Sequence, residues 1–365
     1  MASGFTLSIY PWVYTAQYQS DNNWLESYIE KPHKSPEEEA ALSDDERNRL
    51  LLQRNSFAEL PLVNYTTQYG LGCFEGLKAF PQPDGTLKLF RPEENGKRMQ
   101  RSMEGLLMPA FPEQRFTRAV REVVARNRRI GFYPRYNAEW EKTGFLSGHS
   151  VYIRPFSYAE PGIGLNLSRV PWVVMVTTPV GSYFDSDLAP RAITTDKVRA
   201  FPGGTGWIKC DANYVTPILV KKQMEKIGYM EAIFLDAKEQ RYVEEGSSCN
   251  IFFLLKNGTL VTPALADTIL PGINRASVIT LARDKGVTVE ERDIAIDEVL
   301  ADAQEVFVTG TAAGIAHLES ITHGRRTAEF NNRKLGDFTR DLLLTLKGIQ
   351  YGAVEDSHGW MVPVE

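Results

Sequence analysis

The sequence predicts an α+β protein of two domains, on three observations. The chain has 365 residues, and at roughly 150 residues per domain that length suggests two. Strand-like and helix-like segments mix without a strict βαβ rhythm, and hairpin turns join several strands. That argues for largely antiparallel pairing rather than a doubly wound sheet. No Gly-x-Gly-x-x-Gly follows a strand and opens a helix, and no Walker-type loop is present, so a dinucleotide or P-loop fold is not supported.

Composition narrows the function classes. Hydrophobic residues make up 43% and charged residues 24%, ordinary globular usage that excludes a disordered or collagen-like chain. Lys and Arg number 41 against 46 Asp and Glu, a net charge of −5, which argues against a sequence-independent nucleic-acid binder. Three cysteines, Cys73, Cys210 and Cys249, form no Cys-x-x-Cys pair, so neither a zinc site nor a disulfide framework is expected. The five histidines include no His-x-x-x-His, and no metal is expected. The start, Met-Ala-Ser-Gly-Phe-Thr-Leu, reads as a poor signal peptide, and the apolar run near Val170 to Val180 is broken by prolines. The expectation is a soluble, cytoplasmic protein with no membrane span.

The elements follow in order. Residues 34 to 55 are acidic and helix-prone; Ser35-Pro36-Glu37 reads as a helix start, and the stretch as a solvated insertion. A strand over Lys88 to Arg91 leaves the Pro83-Asp84-Gly85 turn. Asn95 to Leu107 is a helix with Met99, Met103 and Leu106 on one face. Ser150 to Pro155 and Trp172 to Thr178 are strands. Residues 181–191 are polar, with Gly, Ser, Asp and Pro, and read as a linker between a domain over 1–180 and one over 192–365. Thr216 to Gly228 is a helix ending at glycine. Strands follow at Glu231 to Leu235, Tyr242 to Glu244 and Asn250 to Leu255; Asn257-Gly258 turns the last into Leu260 to Thr262. Asn274 to Lys285 is a helix with Ile279 and Ala282 inward, Glu305 to Thr309 a strand, and Leu335 to Leu346 the closing helix.

Four constellations carry chemistry. Gly203-Gly204-Thr205-Gly206-Trp207-Ile208-Lys209 sets one lysine among apolar residues, where an amine can lose its proton and attack a carbonyl. Glu244-Glu245 ends a strand; alternation turns one of the two inward, where a buried carboxylate needs a cationic partner. Pro271-Gly272-Ile273-Asn274 opens a helix whose free N–H groups suit a phosphate, Gly310-Thr311-Ala312-Ala313 offers a hydroxyl and close-spaced amides, and Arg98 adds a charged fork. Tyr69 to Leu77 and Val151 to Pro155 bring aromatic rings and Arg154 to strand ends, which suits a mixed apolar and anionic pocket.

From about Tyr69 onward, the lysine with Asn213-Tyr214, Glu245-x-x-x-x-Asn250, Leu270-Pro271-Gly272-Ile273 and Gly310-Thr311-Ala312 together resemble the branched-chain amino acid aminotransferases, members of the fold-type-IV pyridoxal-phosphate enzymes. The resemblance implies a smaller N-terminal α/β domain and a larger C-terminal mixed domain, with the cofactor at their interface. It implies that Lys209 binds pyridoxal phosphate and moves the proton, that Tyr214 bonds the ring hydroxyl, and that Glu245, rather than Glu244, pairs with the ring nitrogen. Arg98, Ile273, Asn274 and Thr311 would hold the phosphate, and Leu270 would pack on the ring. Tyr152 with the amides of Thr311 and Ala312 would take the substrate α-carboxylate, and Phe74, Tyr69 and Arg154 would shape the side-chain pocket. Substrates would be L-leucine, isoleucine or valine in one half-reaction and glutamate with 2-oxoglutarate in the other. A homodimer is implied, with Tyr69, Ile163 and Leu165 near the partner's site.

Two departures stand out. Cys210-Asp211-Ala212 replaces the small residues, commonly glycines, that often separate the lysine from Asn-Tyr in the family, and Ala313-Gly314-Ile315-Ala316 carries no thiol pair. Within the fold the rival readings are a D-amino acid or amine transaminase and an aminodeoxychorismate lyase; outside it, a non-catalytic ligand-binding relative. Tyr152-Ile153-Arg154-Pro155 with Gly310-Thr311-Ala312 favours the L-branched-chain pattern, and Lys209, Tyr214 and Glu245 together disfavour a non-catalytic protein.

Overall fold

Asp21 and Asn22 both hold left-handed backbone (φ 48° and 60°), as the centre of a two-residue hairpin requires. They join β1 (Trp12–Ser20) to β2 (Asn23–Glu30), which pair antiparallel from Trp12↔Glu30 onward. The computed structural model describes residues 7–181 and 189–365. These fall into two units, one of residues 7–181, 209–212 and 348–365, the other of 189–208 and 213–347. The N-terminal unit thus includes two segments that the sequence assigned to the C-terminal domain. Backbone hydrogen bonding draws them in: 209–211 bonds to 72–74, and Met361–Pro363 adds an edge strand. Most of the expected linker over 181–191, residues 182–188, lies outside the described residues.

In the N-terminal unit, α1 (Pro36–Ala40) and α2 (Asp44–Arg54) each begin with a capping box, Ser35 with Glu38 and Ser43 with Glu46. The acidic insertion is not wholly solvated. Arg54 is buried, giving its Nε to Pro32 O and its Nη1 to Ile9 O, both at 3.0 Å, and pairing with Glu39. After α3 (Tyr65–Tyr69), strands β3 (Leu77–Pro81), β4 (Leu87–Phe90), β5 (Ser150–Tyr158) and β6 (Trp172–Val180) complete an antiparallel sheet of seven, its order Met361–Pro363, β4, β3, β5, β6, β1, β2. Helix α4 (Pro92–Gly105) buries Met99 and Met103 as the periodicity predicts. Helix α5 (Glu113–Arg129), which the sequence reading did not assign, buries Phe116, Val120, Val123 and Val124 at helical spacing.

The second unit adds some parallel pairs to a pairing that is otherwise antiparallel, as the sequence predicts. Its strands are β7 (Arg191–Thr195), β8 (Glu231–Leu235), β9 (Val243–Gly246), β10 (Asn250–Leu255), β11 (Leu260–Thr262), β12 (Val289–Glu291), β13 (Ala303–Gly310), β14 (Gly314–Leu318), β15 (Ser320–His323) and β16 (Arg326–Glu329). They form two five-stranded sheets, β12-β11-β10-β13-β14 and β16-β15-β7-β8-β9, in which β7–β8, β7–β15 and β11–β12 run parallel. One apolar core joins the sheets, with Ile233 and Ile321 from one and Ile251, Phe253, Val306 and Val308 from the other. The helices are α6 (Val215–Lys226), α7 (Ile273–Asp284), α8 (Ile296–Asp302) and α9 (Asp337–Tyr351). Among the described residues no helix is long and apolar enough to cross a membrane, and no cluster of His, Cys, Asp and Glu could hold a metal ion.

Candidate active site

In the N-terminal unit a three-stranded ribbon carries the lysine. The Phe74 N–H donates to Lys209 O (3.1 Å), Asp211 N–H to Gly72 O (2.9 Å) and Glu75 N–H to Pro155 O (2.7 Å), with Cys73 opposite Cys210 and Phe74 opposite Phe156. This register alternates side chains between two faces. Cys73, Cys210 and Ser157 are buried, with Cys73 Sγ 3.9 Å from Met99 Sδ of α4. Phe74, Lys209, Asp211, Arg154 and Phe156 share the other, half-buried face.

On that face Lys209 Nζ lies 4.9 Å and the Arg154 guanidinium carbon 4.7 Å from the centre of the Phe74 ring. A ring face attracts cations at such distances, so one phenyl group orients both. Arg154 Nη2 donates to the Tyr152 hydroxyl at 2.8 Å, which leaves that O–H polarised toward an incoming acceptor. Two glycines keep the face clear: a Cβ on Gly76 would overlap the Tyr152 hydroxyl, and one on Gly72 the Asp211 carboxylate. Ser102 Oγ of α4 accepts the Lys209 N–H at 3.1 Å and pins the lysine's backbone.

Arg98, expected at a phosphate, is held by Glu75. Its Nε and Nη2 donate to the two Glu75 oxygens at 2.7 and 2.9 Å, and Asn95 Nδ2 donates to the same carboxylate at 2.7 Å. Burial pushes the Glu75 carboxyl up, but Arg98, Lys209 and Asn95 outweigh it and hold Glu75 below the usual carboxylate range. Glu75 and Asn95 were missed in the sequence. The signal was an acid flanked by buried apolar positions, which demands a cationic partner. Asp211 goes the other way: burial pushes its carboxyl up to about 6, against the pull of Arg154. Tyr69 is exposed and its hydroxyl accepts the Gly164 N–H at 3.1 Å; Ile163 and Leu165, at 77% and 92% exposure, flank that glycine.

The second unit gathers Tyr214, Glu245, Leu270, Ile273, Asn274, Thr311 and Ala312. Both acids of the Glu244-Glu245 pair are buried, at 9% and 2% exposure, where alternation had turned only one inward. Glu245 meets the cation it needs in Arg199, a residue without a signal in the sequence: Nη1 pairs with Oε1 at 2.8 Å, and the Leu270 N–H donates to the same oxygen at 3.2 Å. The Arg199 guanidinium also lies 6.0 Å from the Tyr214 ring centre, so it links two of the expected residues, Glu245 and Tyr214. Glu244 accepts the Thr268 hydroxyl at 2.7 Å; burial, with Glu245 and Asp236 adding to it, pushes its carboxyl up to about 7.

Gly272 caps the N-terminus of α7, and Asn250 packs so close that a Cβ on Gly272 would overlap its side-chain oxygen. Asn274 Nδ2 donates to Gly310 O at 2.8 Å, which brings the helix start to the turn carrying Thr311 and Ala312. The glycine-rich stretch before the lysine serves packing: Gly206 lies against the Thr268 backbone, and Asn213 clamps Thr205 O (2.7 Å) and Ile208 O (3.0 Å).

The family profile of amino-transferase class IV matches residues 72–321. Branched-chain amino acid aminotransferase 1, mitochondrial, of Humulus lupulus is 40% identical over 324 residues, 88% of this chain and 78% of that protein. The structure of a branched-chain aminotransferase from Thermoproteus uzoniensis, with norvaline, matches at a TM-score of 0.70 and 30% identity, covering 84% of this chain and 95% of that one. The structure of a T.th. branched-chain amino acid aminotransferase with pyridoxamine 5′-phosphate matches at a TM-score of 0.70 and 28% identity, covering 84% of this chain and 94% of that one. The chain belongs to the class IV aminotransferases and, within them, to the branched-chain amino acid aminotransferases.

Proposed function

We propose that the protein moves an amino group between L-leucine, isoleucine or valine and 2-oxoglutarate, in two half-reactions, with pyridoxal phosphate bound at Lys209. The observation that carries this is the pairing of Lys209 and Arg154 over the Phe74 ring on a half-buried face. The residues fit the cofactor. Glu245 is a buried carboxylate suited to a protonated ring nitrogen, and the start of α7 offers N–H groups beside the Thr311 turn for a phosphate.

Pyridoxal phosphate supplies an electron-accepting ring that stabilises the charge left when a substrate Cα loses its proton. Glu245 would keep a proton on the ring nitrogen, and Arg199 fixes that carboxylate. The N–H groups of Ile273 and Asn274, the Thr311 hydroxyl and Arg98 would hold the phosphate, Leu270 would pack on the ring, and Tyr214 would donate to the ring hydroxyl. Lys209 Nζ would take the substrate Cα proton as a general base and hold it for return as an acid. Tyr152, already accepting from Arg154, gives its O–H to the substrate α-carboxylate, with the amides of Thr311 and Ala312. Phe74 and Tyr69 contact an aliphatic side chain, and Arg154 takes the second carboxylate of glutamate by a charged fork.

We read the working form as a homodimer in which Tyr69, Ile163 and Leu165 reach the partner's site; the exposure of the last two supports it. We place it in the cytoplasm, which its three free thiols support. The test is the absorption spectrum with L-leucine, then 2-oxoglutarate, beside Lys209→Ala. A visible cofactor band that leucine removes and 2-oxoglutarate restores is expected, absent from the variant. Turnover of D-alanine alone, or pyruvate release from aminodeoxychorismate, would overturn the reading.

A further inference from the structure

We propose that Lys347 is a positioning residue whose ammonium charge backs the turn over 311–313 and strengthens its hold on the cofactor phosphate. The inference rests on the reading of that turn as part of the phosphate site.

Lys347 stands in the last turns of α9 and is buried, at 7% exposure. Its side chain runs to the base of the turn: a Cβ built on Gly314 would stand 3.6 Å from Lys347 Cε and 3.9 Å from its Nζ. Gly314 holds left-handed backbone (φ 77°) and pairs with Gly310, so these two glycines close the turn that carries Thr311 and Ala312. Gly310 O accepts the Asn274 side-chain N–H from the start of α7. The lysine, the turn and the helix start therefore meet at one end of the β13–β14 hairpin.

Lys347 makes no ion pair and no side-chain hydrogen bond among the described residues. Burial alone pushes its amine down to about 8, so at neutral pH it is still mostly protonated. A buried charge without a counter-charge is costly, and an anion brought close to it offsets that cost. A phosphate on the Thr311 turn is such an anion, and with close to two negative charges it is a strong one. Opposite charges a turn's width apart in a part-buried site attract enough to change affinity by about tenfold or more. One charge thus acts in two directions: it lowers the stability of the chain before phosphate binds, and it raises the affinity for phosphate.

The test is the ratio of the dissociation constant of pyridoxal to that of pyridoxal 5′-phosphate, read from visible absorption in the full chain freed of cofactor, at neutral pH. The ratio isolates the phosphate, because ring contacts enter both constants. Lys347→Met is expected to lower it about tenfold while the cofactor-free chain melts at the same temperature or higher. Thr311→Ala is expected to lower the ratio as well. An unchanged ratio in Lys347→Met, with Thr311→Ala still lowering it, overturns the proposal and leaves the turn as a phosphate site. If Thr311→Ala also leaves the ratio unchanged, the reading of the turn fails and the proposal with it. A ratio that falls together with the cofactor-free melting temperature marks lost packing in place of lost charge, and overturns the proposal too. Should Lys347→Met not fold, Lys347→Gln, which keeps a polar end without the charge, takes its place with the same outcomes.

Discussion

Asn274 gives its side-chain N–H to Gly310 O at 2.8 Å, and this one bond couples the first turn of α7 to the loop of Thr311 and Ala312. Asn274 is buried and stands at the second position of a helix whose start faces that loop. Two groups expected to hold anions are thereby positioned by one amide.

Asn274→Ala therefore loosens both. A lost buried hydrogen bond costs about 1 kcal/mol in stability, and the phosphate subsite loses its alignment. Cofactor dissociation, followed by the decay of visible absorption on dilution, is expected to be about tenfold faster or more. Unchanged retention would show that the coupling has no bearing on the cofactor.

Arg154→Ala removes the charged fork proposed for a second carboxylate while leaving Phe74 in place. The glutamate half-reaction is expected to fall by about two powers of ten in kcat/KM, the leucine half-reaction by far less. Equal losses in single-turnover measurements would mean that Arg154 only supports Tyr152, to whose hydroxyl it donates.

Glu245→Gln acts twice. It leaves the Arg199 guanidinium, almost wholly buried, without its counter-charge, and breaking a buried pair costs about 3–5 kcal/mol. It also removes the group proposed to keep the ring nitrogen protonated. The expected result is a lower melting temperature and a cofactor that still binds. Exchange of the leucine Cα proton with solvent deuterium should be slowed by about a hundredfold or more. A normal exchange rate would remove Glu245 from the chemistry.

Glu244 predicts a pH-dependent stability. Its carboxyl is raised from 4.5 to about 7 by burial, so between those values the folded state binds the proton more tightly than the unfolded chain. The favourable contribution is full below 4.5 and is lost as pH rises through about 7. By pH 8 the ionised group costs on the order of 3 kcal/mol. Glu244→Gln, which keeps an acceptor for Thr268, is expected to gain most of that at pH 8 and little at pH 4, as read by urea denaturation. An equal gain at both pH values would point to packing rather than charge.

Much of the candidate site was nameable from sequence because chemistry restricts residue choice locally. A lone lysine in a glycine-rich stretch, Leu-Pro-Gly-Ile opening a helix and Gly-Thr-Ala after a strand are each contiguous, so their spacing can be read directly. The elements that follow simple periodicity were legible as well. Helix α4 buried the expected methionines, and β10 and β11 turned at Asn257-Gly258. The first hairpin and α5 were missed although their signals exist, in Asp21-Asn22 and in the spacing of Phe116, Val120, Val123 and Val124.

The sequence by itself determined the class of chemistry, through an amine, a carboxylate and anion-holding turns in a set order, and the α+β character of the chain. Only the tertiary structure decided the partners: Glu75 with Arg98, Arg199 with Glu245, and residues 209–212 hydrogen-bonded into the N-terminal unit. Ion pairing and ribbon register depend on which distant segments meet. Burying a charge compels it to find a counter-charge but does not say where along the chain that partner lies.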